Sequence, residues 1–280
     1  MKLLRYGPPG SEQPGMLDPS GTLRALSPIV KDIDATVLSP QGLRFLAALD
    51  ATKLPVVEGT PRLGTPIGAI REIIAIGLNY RDHAIEANLP IPTEPVVFAK
   101  STSSVSGPYD DIVLPPGSRS TDWEVELGIV IGSVTSRVSE HSARASIAGY
   151  CMVNDVSERD WQLNKGGQWG KGKSFDTFTP VGPWFVSADE INSPDKFELS
   201  LKVNGEQRQL GNTENMIFPV NRIVSYVSHF MTLRPGDLII TGTPAGVGFG
   251  MKPPQFLKDG DRLDMSISGL GEQSHRVRAG

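Results

Sequence analysis

The stretch Asp122-Trp123-Glu124-Val125-Glu126-Leu127-Gly128-Ile129-Val130-Ile131 carries acidic residues within an otherwise apolar run. Its alternating and β-branched residues predict a strand, in which side chains two positions apart share a face. Glu124 and Glu126 should therefore point together, with Val125 and Leu127 in the opposite layer. Two adjacent carboxylates repel each other and resist burial, and a divalent cation removes both costs. Carboxylate oxygens suit Mg²⁺, Mn²⁺ or Ca²⁺, whereas a solvated strand face is the alternative for this motif alone.

The composition of the 280-residue chain favours a β-rich globular protein. Hydrophobic residues make up 39% and charged residues 21%, while 30 glycines and 23 prolines indicate many turns. The net charge of −4, without basic runs, argues against a nucleic-acid partner. A single cysteine, Cys151, excludes an internal disulfide. With no secretory signal and no apolar run of about 18 residues, we expect a cytoplasmic protein without membrane contact.

The pattern of turns suggests a division at about residue 70. Residues 1–70 predict a small N-terminal α/β appendage, with a helix capped by Ser39 and a linker near its end, over residues 58–68. Residues 71–280 are expected to form the catalytic domain. Strands and helices do not alternate regularly there, so we predict a β-rich α+β fold rather than a doubly wound sheet. The clearest hairpin signal is Asn204-Gly205, which suits a type I′ turn.

Another acidic residue, Asp155, follows the apolar segment 149–153. Loops at the ends of buried strands often carry ligand-binding residues, so Asp155 is a candidate third oxygen ligand. The alternative is that Asp155 only caps a short helix predicted over residues 156–164. Cys151, within the strand, is expected to be an ordinary core residue.

The segment 79–88 predicts a helix that places His83 and Glu86 on one face. A carboxylate beside an imidazole fixes its tautomer and raises its basicity, as a general base requires. The alternative is a chance pair on an exposed helix face. No comparable acidic partner lies within reach, on the same element, of the other histidines: His141, His229 and His275.

Two glycine-rich segments resemble anion-binding loops. Residues 167–174 formally match the phosphate-binding pattern G-x-x-x-x-G-K-[ST]. That pattern requires a buried strand before it and a helix after it, and here a polar segment precedes and prolines follow, so nucleotide binding is disfavoured. Lys173 in such a loop is still able to stabilise an oxyanion. Residues 238–250 run from a strand into a glycine-rich turn that suits a small carboxylate ligand.

Together, and in this order, the motifs over residues 70–270 resemble the fumarylacetoacetate hydrolase superfamily. The resemblance is carried by the segments 77–86, 94–100, 122–131, 149–162, 172–175 and 236–246. It implies a mixed β-sandwich roll, a divalent metal such as Mg²⁺ or Mn²⁺, and a 2-oxo or 2,4-diketo acid substrate. It also implies a homodimer or a higher homo-oligomer.

The resemblance implies a role for each candidate residue. The implied metal ligands are Glu124, Glu126 and Asp155. The implied water-activating dyad is His83 with Glu86. The implied oxyanion-stabilising residue is Lys173. The implied substrate contacts are Arg159, Gln162 and Thr243. Asn79 stands where the founding enzyme has an acidic fourth ligand, which argues against fumarylacetoacetate itself as the substrate.

The segments 1–7 and 79–86 are similar to the corresponding segments of bacterial enzymes that hydrolyse 2,4-diketo-3-deoxy sugar acids. The implied reaction is cleavage of a carbon–carbon bond in a rhamnonate or fuconate derivative, giving pyruvate and a second acid such as lactate. Alternatives on the same scaffold are an oxaloacetate decarboxylase, a 2-hydroxyhepta-2,4-diene-1,7-dioate isomerase and a ureidoglycolate lyase. Outside this family, the alternatives are a nucleotide-binding module and a non-catalytic binding protein.

Overall fold

The computed structural model describes all 280 residues, which form mostly β-strands with few helices. The strands are β1 (Lys2–Tyr6), β2 (Gln13–Leu17), β3 (Leu23–Ala25), β4 (Leu63–Gly64), β5 (Ile73–Gly77), β6 (Val96–Lys100), β7 (Val105–Ser106), β8 (Ile112–Leu114), β9 (Thr121–Asp122), β10 (Val125–Ile131), β11 (Ile147–Asn154), β12 (Ser157–Glu158), β13 (Thr179–Ser187), β14 (Glu198–Val203), β15 (Glu206–Asn212), β16 (Leu238–Ile240), β17 (Arg262–Ile267) and β18 (Gly271–Ala279). The α-helices are α1 (Pro40–Ala47), α2 (Arg81–Glu86), α3 (Glu140–Ala143), α4 (Trp169–Lys173) and α5 (Val220–Phe230). None of the helices has the length and apolar character needed to cross a lipid bilayer. The predicted β-rich fold class is confirmed.

An eleven-stranded sheet forms the centre of the molecule. Its main path runs β3-β2-β1-β13-β11-β10-β16-β5-β6, with β4 added beside β1 and β7 beside β13. The central strands β10 and β11 are antiparallel, and every residue of both is buried. Both strands are therefore apolar over most of their length, because neither face of this part of the sheet meets solvent.

Two hydrophobic cores lie on opposite faces of this sheet. On β10, Val125 and Leu127 belong to one core and Val130 to the other, as the two-residue period of a strand requires. The first core is closed by a second sheet, β15-β14-β17-β18-β8, and by α5. The second core is closed by the N-terminal part of the chain, including α1, and contains Cys151. Cys151 is thus the buried core residue that the sequence predicts.

The first 70 residues contribute strands to the large sheet. β1 pairs with β13 through Lys2↔Val186 and Leu3↔Phe185. Ser39 caps α1 as expected, since its Oγ accepts a hydrogen bond from the Gly42 N–H. The division of the chain into separate units at residues 1–70 and 71–280 stays a prediction.

Three local predictions need correction, and the predicted hairpin is found. The segment 58–68 is more than a linker, because β4 within it pairs with β1. The strand expected over residues 123–131 is interrupted: β9 ends at Asp122 and β10 begins at Val125. The helix expected over 156–164 is replaced by β12 and a π-helical turn, and β12 pairs with the sequence-distant β9. Asn204 and Gly205 have φ angles of 53° and 80°, as a type I′ turn requires.

The large sheet curls so that its far edge returns towards β13. Shortly after β6, β7 pairs in parallel with β13. This brings Lys100, the last residue of β6, to the start of β13, where its Nζ donates to the Phe178 carbonyl at 2.8 Å. At one edge of the sheet the ends of β5, β11 and β16 meet the start of β10. The candidate site lies at this edge.

Candidate active site

Three buried carboxylates meet where β10 begins and β11 ends. The Asp155 N–H donates to the Glu124 carbonyl at 2.8 Å, and Glu126 lies two residues further along the same strand edge. Residues two apart and residues paired across strands share a face, so the three side chains converge. One oxygen from each of Glu124, Glu126 and Asp155 lies within 4.8 Å of the others. The structure therefore brings together the three residues predicted as metal ligands.

Two buried lysines compensate part of this negative charge. Lys173 Nζ lies 2.8 Å from Glu124 Oε2 and 2.5 Å from Asp155 Oδ2, and it also donates to Ser157 Oγ at 2.8 Å. Lys100 Nζ lies 2.5 Å from Asp155 Oδ1. All three ammonium protons of Lys173 are thus engaged. To stabilise a substrate oxygen, Lys173 has to exchange one of these hydrogen bonds.

Arg159 forms ion pairs at the other side of the carboxylate cluster. Its Nη2 lies 2.7 Å from Glu124 Oε1 and 2.7 Å from Asp122 Oδ2. Its Nη1 donates to Gln162 Oε1 at 3.0 Å, which fixes the Gln162 amide. The amide nitrogen of Gln162 has no partner in the protein, and Gln162 lines the cavity, so its N–H groups are available to a ligand. Of the predicted substrate contacts, Gln162 is open to substrate, whereas Arg159 is mainly committed to neighbouring carboxylates.

Glu126 is the carboxylate that contacts no cation. Its one hydrogen bond comes from the Gly242 N–H at 2.7 Å. Burial, followed by the charges of Asp155 and Glu124, raises the pKa of Glu126 well above its ordinary value. Burial also opposes the charged form of Glu124, but its two cationic neighbours outweigh this and lower its pKa to about 2. A hard divalent cation would supply the missing positive charge, so the donor set fits Mg²⁺ or Mn²⁺.

The dyad residues lie on α2 as predicted. His83 Nδ1 lies 3.1 Å from Glu86 Oε2, and Glu86 Oε1 accepts a hydrogen bond from the Gly246 N–H at 2.9 Å. Because an ionised carboxylate only accepts hydrogen bonds, this contact places the proton of a neutral imidazole on Nδ1 and the lone pair on Nε2. Nε2 has no protein partner, and His83 lines the same cavity as Glu124. The cavity wall therefore carries an oriented base.

Two further predicted residues have mainly structural contacts. Thr243 Oγ1 donates to the Val125 carbonyl at 2.9 Å and accepts from Gln209 Nε2 at 2.7 Å, although Thr243 does line the cavity. Asn79 hydrogen-bonds to the backbone of Phe218 and Thr241, so its amide fastens two loops rather than facing the carboxylates.

The glycine-rich match over residues 167–174 does not form a phosphate-binding loop. A π-helical turn, not a strand, precedes it, and α4 begins inside it at Trp169. Its lysine, Lys173, is held by carboxylates. A phosphate-binding loop requires a buried strand before it and a lysine free to reach the phosphates, so nothing in this geometry supports the nucleotide-binding alternative.

All candidate residues except Glu86 line one cavity of about 560 Å³, a volume that includes the open space at its mouth. These lining residues are His83, Glu124, Glu126, Asp155, Arg159, Gln162, Lys173 and Thr243. The arrangement combines a base, an acidic cluster suited to a metal ion and a free amide donor. It is the arrangement of an enzyme that acts on a small molecule.

Comparison with known proteins gives the family. The family model described as fumarylacetoacetate (FAA) hydrolase, C-terminal, matches residues 72–278. A protein of Burkholderia multivorans, provisionally named as a hydrolase, is 55% identical over 280 residues, which cover 100% of this chain and 99% of that protein. The chain belongs to the fumarylacetoacetate hydrolase family, as its sequence motifs predict.

Solved structures agree with this assignment. The fumarylacetoacetate hydrolase of Exiguobacterium antarcticum superposes with a TM-score of 0.90 at 36% identity, covering 100% of both chains. A Mycobacterium abscessus protein, provisionally described as a 2-hydroxyhepta-2,4-diene-1,7-dioate isomerase, gives 0.85 at 33% identity, covering 100% of this chain and 99% of that one. The maleylpyruvate hydrolase of Sphingobium sp. SYK-6, solved with manganese(II) and pyruvate, gives 0.83 at 29% identity, covering 100% of both chains.

Lys100 and Asp122 contact the candidate site, and the sequence alone does not indicate this for either residue. Asp122 accepts hydrogen bonds from the N–H groups of Gly248 and Phe249, in addition to its ion pair with Arg159. A lysine ending an apolar strand is the only local sign of the role of Lys100. Both roles depend on partners far away in the sequence, and spacing does not reveal those partners.

We expect Lys100→Met to lower the melting temperature of the metal-free protein. We also expect Mn²⁺ to raise the melting temperature of this variant by more than it raises that of the wild type. The variant leaves Asp155 Oδ1 without its cation, and breaking a buried ion pair costs about 3–5 kcal/mol. Thermal unfolding in EDTA and in Mn²⁺ measures both effects. Lys202→Met, at an exposed lysine on β14, is the control. A Mn²⁺ gain smaller than that of the wild type would contradict the charge argument.

Proposed function

We propose that the protein is a metal-dependent hydrolase that cleaves a carbon–carbon bond of a 2,4-diketo acid to give pyruvate and a second carboxylic acid. The observation that carries this proposal is the His83–Glu86 pair, with its free Nε2, on the wall of the cavity that holds the acidic cluster. Hydrolysis needs a base to activate water, and decarboxylation does not. A 2,4-diketo-3-deoxy sugar acid, such as the rhamnonate or fuconate derivative with lactate as the second product, is our favoured substrate.

The ligands that would hold Mg²⁺ or Mn²⁺ are Glu124, Glu126 and Asp155. The manganese and pyruvate in the Sphingobium relative support both the metal and the product. When bound, the ion supplies Lewis-acid polarisation of the 2-oxo acid. The homodimer implied by the family resemblance is part of the proposal, and light scattering in solution measures it.

The residues of the chain perform the proton transfers. His83 Nε2 takes a proton from water, while Glu86 holds Nδ1 and stabilises the imidazolium. The water oxygen attacks carbon 4 of the substrate, and Lys173 donates a hydrogen bond to the resulting alkoxide. The bond between carbons 3 and 4 breaks, its electron pair stays on carbon 3, and that carbon receives the proton. The water oxygen ends in the second acid.

Product analysis tests this proposal. Pyruvate release is measured from a panel of acylpyruvates and diketo-deoxy sugar acids, with and without chelator, in ¹⁸O-labelled water. We expect chelator-sensitive release with one labelled oxygen in the second acid. Release of CO₂ with no labelled acid, or no pyruvate from any member of the panel, would refute it.

An isomerase is the second candidate, favoured by the similarity to the Mycobacterium abscessus protein. The same base, His83, would then move a proton between two carbon atoms without consuming water. An isomerase conserves every carbon of the substrate in one product, so mass spectrometry of the product separates the two candidates.

Gly250→Ala is expected to reduce turnover while leaving metal binding intact. An added Cβ would lie 2.4 Å from Glu86 Cγ and would push Glu86 away from His83. Misplacing a positioning group by about 1 Å can reduce the rate on the order of 100-fold. The measurements are kcat and the Mn²⁺-dependent shift in melting temperature. In the control Gly260→Ala the added Cβ meets nothing within 4 Å, but the φ of +87° strains the backbone, so this variant reports loss of stability without a contact to Glu86. Equal losses of kcat in the two variants would contradict this explanation.

A further inference from the structure

The cationic side chains that line the cavity already form ion pairs with carboxylates of the protein. Apart from His83, the basic residues in its lining are Arg159 and Lys173. Lys173 contacts Glu124 and Asp155, and Arg159 contacts Asp122 and Glu124. A negative charge on the substrate, beyond the 2-oxo carboxylate, would therefore find no free basic side chain in this cavity.

Both of these cations lie over aromatic rings that line the cavity. Lys173 Nζ lies 5.3 Å from the centre of the Phe98 ring, and the Arg159 guanidinium carbon lies 5.8 Å from that of Phe249. Phe98 packs edge-on against Trp169 at 5.5 Å. Both cations thus face an aromatic surface on this side.

The wall continues as apolar side chains to the mouth of the cavity. Leu89, Leu163 and Phe249 are 46%, 40% and 42% exposed, so they form a rim, while Leu78 and Trp169 lie in the lining. Among the lining residues outside the acidic cluster and its cations, Gln162 offers an uncharged hydrogen-bond donor. This wall accepts methyl and methylene groups and offers a terminal carboxylate no cationic partner.

We propose that the substrate carries an uncharged acyl group on carbon 4 whose outer end is apolar, and that diacids are rejected. This inference rests on the proposed function and narrows its substrate class. A lactoyl group satisfies this requirement, because its hydroxyl can accept a hydrogen bond from the Gln162 amide and its end is a methyl group. A substrate with a second carboxylate at the far end does not.

Two substrates of equal length test the proposal. 2,4-Dioxoheptanoate ends in a methyl group, and 2,4-dioxoheptanedioate ends in a carboxylate. We expect kcat/KM to be higher for the first by on the order of 100-fold, the lower range for leaving a buried charge uncompensated. Comparable kcat/KM values would overturn the inference and leave the proposed function standing.

A binding measurement separates failure of the inference from failure of the proposed function. Calorimetry with Mn²⁺ present compares 2-oxohexanoate with 2-oxoadipate, which differ only in the terminal carboxylate. If neither dioxo acid is cleaved, the proposed function fails, and tighter binding of 2-oxohexanoate still supports the inference. Equal binding of the two acids, or no binding of either, overturns it.

A rim variant tests whether this wall sets the preference. Leu163→Arg places a free cation at the mouth and is expected to reduce the discrimination between the two dioxo acids at least about tenfold. Leu210→Arg, at a 71% exposed leucine of β15 outside the cavity, is the matched control and should leave the discrimination unchanged. An unchanged ratio in Leu163→Arg, or an equal change in both variants, would count against the assignment of the apolar wall.

Discussion

Glu126→Gln is expected to abolish the stabilisation of the protein by Mn²⁺ while raising the melting temperature of the metal-free form. Glu126 is buried beside Glu124 and Asp155, contacts no cation and accepts one hydrogen bond, from Gly242. Glutamine has nearly the same shape, keeps an acceptor for the Gly242 N–H and removes the repulsion between the carboxylates. Turnover should fall by more than the roughly 10–100-fold loss typical of an outer-sphere partner, because Glu126 is proposed as a direct ligand.

Thermal unfolding in EDTA and in Mn²⁺, together with kcat, measures this prediction. Glu12→Gln is the matched control, since Glu12 is also shielded from solvent but pairs with Arg62 at 3.0 Å in the N-terminal part. Its melting temperature should fall and its response to Mn²⁺ should persist. A full Mn²⁺ response in Glu126→Gln would show that this carboxylate is not a ligand.

His83→Ala should retain the Mn²⁺ response and lose hydrolysis by about 10²–10⁴-fold, the usual contribution of a general base. The imidazole makes its one side-chain hydrogen bond to Glu86, outside the acidic cluster, so its removal leaves the ligands in place. Any decarboxylation of oxaloacetate should be unaffected, because that reaction consumes no water. The measurements are pyruvate release, CO₂ release and the shift in melting temperature.

His229→Ala, at an exposed histidine on α5, is the control for the loss of an imidazole. If His83→Ala hydrolyses diketo acids at the wild-type rate, the dyad assignment is wrong. If it also loses the Mn²⁺ response, His83 acts through the metal centre and not as an independent base.

Features that depend on local periodicity could be predicted from the sequence. The two-residue period of a strand places Glu124 and Glu126 together, and the helical period places His83 beside Glu86. The Asn204-Gly205 turn follows equally directly from the backbone freedom of these residue types. In each case the residues that interact are at most three positions apart.

Features that depend on distant strands could not be predicted. β12 forms because β9 is beside it, and Lys100 reaches Asp155 only because the large sheet curls back to β13. The commitment of Arg159 to Asp122 has the same origin. Sequence spacing carries no information on these pairings, so it identifies Glu124 and Glu126 but neither Lys100 nor the pairing of Arg159 with Asp122.

The isolation of Cys151 has a practical consequence for spectroscopy. It is the only cysteine in the chain, and burial raises the pKa of its thiol to about 12, so almost no reactive thiolate is present at neutral pH. A cysteine introduced at an exposed position would then be the single site for a maleimide dye or a nitroxide. Fluorescent or paramagnetic reporters at chosen positions can therefore be attached without first removing a native thiol.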